Sequence, residues 1–274
     1  MTILERYNEL KSATDLKRED VLSFYSEFLE ALNQGSVKVV EKTDDNWIVN
    51  TWVKEAILLG FKYGELTEIK IGDWKFFDKN TLAFRDLSVN DKVRMVPGGS
   101  IIRNGAYVAG GTIIMPPSYI NIGAYVDEGS MIDSHALVGS CARIGKNVHL
   151  SAASQIGGVL EPVGALPVII EDNVFIGGNC GIYEGAIIKN NAVIGTGVIL
   201  NASTPVFDNV NGNFIKKEEG KTLVIPENAV VVAGSRPVSS GKGVTENIHL
   251  YCPVIIKYRD EKTGKSISLE DLLR

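Results

Sequence analysis

The residues of this 274-residue chain that could do chemistry are few: three histidines, three cysteines, and arginines and carboxylates spread along the sequence. The densest grouping is Met131-Ile132-Asp133-Ser134-His135, followed by His149 and Ser151. A carboxylate can hold an ammonium or orient an amine, and imidazole titrates near neutral pH, so this grouping has the raw material of general acid–base chemistry. Of the two imidazoles His135 is the better base candidate because it shares a rung with Asp133, although polar packing is the simpler reading of both. Cys141, Cys180 and Cys252 are far apart with no C-x-x-C spacing, so they read as reduced thiols rather than as disulfides or a zinc site. Cys141 and Cys180 are expected to be small buried hydrophobes, not acyl-accepting nucleophiles. With His249 remote from the other two histidines, no three-His metal site is expected, and no G-x-x-x-x-G-K-[ST] loop is present.

What must position these groups is a repeat. Aliphatic residues recur at every sixth position from Ile102 to Ile156, resume from Ile170 to Val206, and return at Ile225 and Val231. Four places after each comes a small or β-branched residue, as in Ala106, Thr112, Ala124, Ala136 and Cys180. A period of six suits neither a helix nor a hairpin. It suits a parallel β-helix with three flat rungs per 18-residue coil, both columns facing a narrow interior and neighbouring rungs about 4.8 Å apart. About six coils are predicted, with 157–169 and 207–224 leaving the prism as loops. Asp133 follows an inward Ile132 and so faces out, in one column with Met115 and Ser151.

Glycine marks the organisation: four of the 28 glycines lie in residues 1–90 and the other 24 beyond. The predicted division is an α-rich N-terminal part over 1–90, the coil domain over 91–240, and a strand-and-helix extension over 241–274. Within the first part, apolar spacing from Val21 to Leu32 with Gly35 as a stop predicts one helix, and 51–62 a second. Between them 37–41 and 47–49 flank a polar turn and predict a hairpin. In the tail 254–258 reads as a strand and 269–273 as a helix.

The 28 basic and 33 acidic residues leave a net charge of −5, and no basic stretch is interleaved with aromatics, so nucleic acid is not an expected partner. No apolar run approaches the roughly 20 residues of a spanning helix, so no membrane is expected and the cytoplasm is the predicted location.

The hexads resemble those of the hexapeptide-repeat acyltransferases. The run MPPSYINIGAYVDEGSMIDSHALVGSCARIGKNVHLSAASQIGGVLEPVGALPVIIEDN, residues 115–173, is similar to the tetrahydrodipicolinate N-succinyltransferase family, with NIGAYVDEG and VGSCARIGKNVHLS its most specific parts. The resemblance implies a mainly β protein built on a left-handed parallel β-helix, assembled as a homotrimer with sites between subunits. It implies transfer of succinyl from succinyl-CoA, as cosubstrate, to the amino group of ring-opened tetrahydrodipicolinate on the route to diaminopimelate and lysine. By the same likeness Arg94 in DKVRMVPGGS and Asp133 in MIDSHALVGS match the family's substrate-binding Arg and Asp, and Ser151 joins them as Asp133's column neighbour. Arg103 and Arg143 are candidates for a second contact to the acceptor's two carboxylates, with surface charge as the plain alternative.

CoA needs an extended channel. Gly177, Gly178, Gly195 and Gly197 would let its arm run against the backbone, and Lys257, Arg236 and Lys242 could meet its phosphates; corner glycines are the competing reading. The sequence departs from the family in two places, with His135 where a Trp is usual and Gly181 where a Glu is usual, while Glu184 stands nearby. Two other functions remain open at this point: N-acetyl transfer to the same acceptor, and a non-catalytic solenoid scaffold.

Overall fold

A computed structural model describes residues 1–217 and 222–259. Its N-terminal part holds three helices, α1 (Ile3–Ser12), α2 (Arg18–Asn33) and α3 (Thr51–Tyr63), with a hairpin of β1 (Val40–Thr43) and β2 (Asn46–Val49) between α2 and α3. The spacing from Val21 to Leu32 does bury one face of α2, including Val21, Phe24, Tyr25 and Phe28, and Gly35 follows it at φ 68°. Two elements were not anticipated. The helix α1 is short, but Thr2 accepts from the Glu5 backbone N–H while the Glu5 side chain accepts from that of Thr2, a capping box that satisfies two otherwise orphaned donors. A second hairpin, β3 (Leu66–Ile71) and β4 (Trp74–Lys79), turns at Gly72.

The rest is the expected prism. Every aliphatic of the six-residue column from Ile102 to Val231 is buried to 3% exposure or less, and the small column four places on is buried with it. Two faces carry six strands each, and the third carries ten. The first six-stranded face includes Tyr107–Val108, Tyr125–Val126, Arg143–Ile144, Ile169–Ile170 and Ile187–Ile188, in parallel register one coil apart. The helices cover it, since Ile169, Ile187, Ile122 and Cys141 share one buried cluster with Phe28, Val53 and Ile57. The other six-stranded face runs from Ile101–Ile102 through Leu137–Val138 to Ile199–Leu200.

The ten-stranded face begins at Arg94–Met95 and climbs through Ile113–Ile114, Met131–Ile132, His149–Leu150, Phe175–Ile176 and Val193–Ile194 to Ala229–Val232. It is then extended antiparallel by Val254–Tyr258, the expected tail strand. The segment 157–168 is a loop as predicted, pinned where Lys54 Nζ donates to the Ala165 carbonyl at 2.6 Å. The interruption at 207–224 is not simply a loop: Val206–Asp208 pairs antiparallel with Asn213–Ile215 and parallel with the tail strand. Its turn contains Asn211-Gly212, with Gly212 at φ 71°, the dipeptide that favours hairpins. The expected helix at 269–273 lies outside the described residues. No described helix is long and apolar enough to cross a membrane.

Candidate functional site

Strand register fixes which candidates share a surface. Arg94 pairs with Ile113, Ile113 with Met131, Met131 with His149 and His149 with Phe175, so these five form one outward column on the ten-stranded face. Two rungs, about 10 Å, separate Arg94 from Met131. The residue that follows the inward aliphatic on this face donates its N–H to the next coil in each case: Asp133 to Leu150, Ser151 to Ile176, Gly177 to Ile194 and Gly195 to Val231. Asp133, Ser151, Gly177 and Gly195 are therefore a single column along one corner. Four of the residues singled out for acceptor and CoA thus share one line, with Arg94 on the adjoining column below them. Lys257 pairs with Val230 at the far end of the same face and is exposed.

The Asp133 carboxylate is outward and half-buried. One oxygen accepts from the Ser134 N–H at 2.7 Å, and the other lies 3.8 Å from His149 Nε2. His135, the imidazole favoured from sequence, sits at the exposed corner at φ 62°, and it is His149 that comes close to the carboxylate. Coil arithmetic could have found this, because 149 lies 18 residues after 131. Arg94 is exposed and has no ion-pair partner among the described residues.

Arg103 and Arg143, candidates for a second acceptor contact, are both engaged within the fold. Arg103 bonds the Asp78 carboxylate of β4, the Leu82 carbonyl and, at 2.7 Å, the Tyr119 hydroxyl. Arg143 pairs with Asp127 at 3.2 Å and lies over the Tyr125 ring, 4.2 Å from its centroid, with Trp47 of β2 on it as well, 5.5 Å away. Arg236 lies on Ser235–Pro237, paired with the strand His249–Tyr251. That strand reaches the other six-stranded face, where the Tyr251 hydroxyl accepts from the Ile199 N–H. Arg236 is thus in a different sheet from Lys257, and Lys242 lies in an exposed short 3₁₀ turn.

Two glycines have reasons of their own. A Cβ on Gly177 would lie 2.5 Å from the Thr196 nitrogen of the next coil, so coil stacking alone demands glycine there. A Cβ on Gly181 would lie 2.5 Å from the Tyr183 ring, which also covers Gly157, so the ring fills the space that a longer side chain at 181 would need. The thiols are buried, and burial pushes that of Cys141 up to about 12 against the opposing pull of the Lys54 ammonium. No group of three or more His, Cys, Asp or Glu that could hold a metal occurs among the described residues. A concavity of about 1430 Å³ lies elsewhere, between β2, the 157–168 loop and Tyr183. Neither Arg94 nor Asp133 lines it.

Two family models match the chain: the N-terminal region of tetrahydrodipicolinate N-succinyltransferase over residues 2–63 and the hexapeptide repeat of succinyl-transferase over 167–202. The 2,3,4,5-tetrahydropyridine-2,6-dicarboxylate N-succinyltransferase of Legionella pneumophila (strain Corby) is 44% identical over 97% of this chain and 94% of its own. This chain belongs to that family. The family's enzyme from Ehrlichia ruminantium (strain Gardel) is 48% identical over 90% of this chain and 86% of its own. Among solved structures, a Campylobacter jejuni chain aligns with 91% of this one and 82% of its own at 16% identity, with a TM-score of only 0.40. The family assignment therefore rests on sequence, and the coil on the strand pairing above. As an N-succinyltransferase family member the protein is an acyltransferase carrying the left-handed parallel β-helix of the hexapeptide class, and the scaffold reading falls away.

Proposed function

We propose that the protein transfers succinyl from succinyl-CoA to the amino group of ring-opened tetrahydrodipicolinate, giving N-succinyl-2-amino-6-oxopimelate for diaminopimelate and lysine synthesis in the cytoplasm. The observation that carries this reading is 44% identity to an enzyme of that name over nearly the full length of both chains. The acceptor's amine attacks the thioester carbonyl, the C–N bond forms, the C–S bond breaks, and overall one proton passes from nitrogen to the departing sulfur. Arg94 grips an acceptor carboxylate through its planar fork, the geometry such a ligand favours. Asp133 holds the nitrogen with its lone pair toward the carbonyl, and Ser151 lends a hydroxyl one coil above.

CoA lies along the Gly177–Gly195 corner, with Gly178 and Gly197 beside it and Lys257 toward its phosphates. In this reading a neighbouring copy closes the site, because the column of Arg94 and Asp133 lies on a prism face rather than in a cavity. Three prisms packed about an axis make such closed clefts by heterologous contacts. The test is to follow thiol release with the acceptor present and either succinyl-CoA or acetyl-CoA as donor. A kcat/KM at least about tenfold higher with succinyl-CoA is expected, a discrimination of ~1.4 kcal/mol. Equal or better use of acetyl-CoA would assign the acetyl reading instead.

A further inference from the structure

Asp133 needs more than a place in a column to orient an amine. A carboxylate held at one point can still swing about that contact, and a nucleophile displaced by about 1 Å can lose on the order of a hundredfold in rate. One of its oxygens is held by the backbone, from the Ser134 N–H at 2.7 Å. The other faces the His149 imidazole, with Nε2 3.8 Å from Oδ2 and the two side chains 14% and 29% exposed. The imidazole is itself located. The Phe175 ring one coil above meets it edge-on, centroids 5.2 Å apart at 79°, and Met131 is its strand partner one coil below. At 3.8 Å the contact is longer than a hydrogen bond, and an approach of about 1 Å would make it one.

We propose that His149 is a positioning residue for the acyl-acceptor site: set against Phe175, it fixes Oδ2 of Asp133, so that the carboxylate presents one orientation to the acceptor's nitrogen. Two contacts on two different oxygens remove the swing that one contact leaves. Because Phe175 holds the imidazole within about 1 Å of bonding distance to Oδ2, the second contact needs only a small approach when the acceptor binds. The imidazole touches neither substrate in this account, and its effect passes through Asp133. The inference rests on Asp133 serving the acceptor, as proposed above.

The experiment is a double-mutant cycle in the full-length enzyme, with both substrates varied and thiol release followed. His149→Gln places an amide N–H near where Nε2 stands, whereas the shorter His149→Asn and the apolar His149→Leu do not. The expected result is a fall in kcat of about tenfold for His149→Asn and His149→Leu, with recovery to within about threefold for His149→Gln. The KM for succinyl-CoA should stay within about twofold throughout. Adding His149→Asn to Asp133→Asn should cost nothing further, because the positioned group is already lost. Should His149→Leu not fold, the Gln and Asn variants, matched in melting temperature, carry the same comparison. The proposal is overturned by wild-type kcat in His149→Asn, by equal losses in Gln and Asn, or by a double mutant whose losses multiply. Full activity of Asp133→Asn would overturn the site reading itself, whatever His149 does.

Discussion

The helix-covered side of the prism and the ten-stranded face treat charge in opposite ways. Beneath and beside the helices each cation that turns inward has been matched: Arg143 to Asp127 and the Tyr125 ring, Arg103 to Asp78 and Tyr119, and Lys54 to the Ala165 carbonyl. Glu171, nearly buried, takes both the Lys42 ammonium and the Trp47 indole N–H. Those pairs answer a desolvation problem, because a buried charge without a partner costs several kcal/mol. On the ten-stranded face Arg94 stays exposed and unmatched among the described residues, and Asp133 has one backbone bond and one distant imidazole. In the proposed site these are the charges that the fold leaves to the ligand.

The comparison presumes the register that sorts inside from outside, and the largest expected effect tests that. Val138, fully buried, is in the inner column beneath one of the six-stranded faces. Val138→Lys should cost at least about 3 kcal/mol, because an ammonium would enter an apolar column without water or counter-charge. Thermal unfolding reads it, and wild-type melting would break the inside–outside assignment on every face. Next in size is Arg143→Leu on the covered side. It leaves Asp127 without its guanidinium and should cost about 1–3 kcal/mol while leaving both KM values unchanged. A changed acceptor KM at wild-type stability would reverse the comparison at that residue.

Arg94→Lys should do the converse: no measurable change in melting temperature, and an acceptor KM raised about tenfold because a point charge replaces the two-pronged fork. A loss confined to the succinyl-CoA KM would move Arg94 to the donor side.

A smaller effect concerns the Cys141 thiol, which lies under α3. Burial raises it to about 12, far above the ordinary value of about 8.5, so the folded state holds this proton where the unfolded chain would release it. The contribution to stability is full below about pH 8.5 and declines as pH rises from there toward about 12. Native protein at pH 8 should therefore not react at Cys141 with a thiol reagent until denaturant is added. Rapid labelling of the native form, located by peptide mass, would show that the helices do not seal this face.

The same contrast explains what could be read from the sequence. The coil was legible because a six-residue column repeated from Ile102 to Val231 needs no tertiary information, and the helices α2 and α3 were legible from apolar spacing. The α1 helix and the Asn211-Gly212 hairpin rest on local signals, a capping box and a turn dipeptide, that an apolar periodicity passes over. At the site, Arg94 and Asp133 came from family likeness. Their shared face came from register, since 18-residue arithmetic stacks Asp133, Ser151, Gly177 and Gly195 only once the eight residues by which the loop after Ile156 lengthens its coil are taken out of the count. The pairing of Arg103 and Arg143 is invisible in the sequence because their partners, Asp78 and Asp127, are 25 and 16 residues away and are met only through packing. His149 was undervalued against His135 because nearness along the chain was taken for nearness in space.

The central claim is that Asp133, on the face the helices leave uncovered, holds the acceptor's nitrogen. Its most direct test is the steady-state rate of Asp133→Asn with tetrahydrodipicolinate and succinyl-CoA both varied. The substitution keeps the size of the side chain and the bond from Ser134 while removing the negative charge. The account predicts an unaltered fold, an unchanged KM for succinyl-CoA, and a kcat/KM for the acceptor lower by at least about tenfold, or ~1.4 kcal/mol of transition-state binding. Full activity on the acceptor would contradict it.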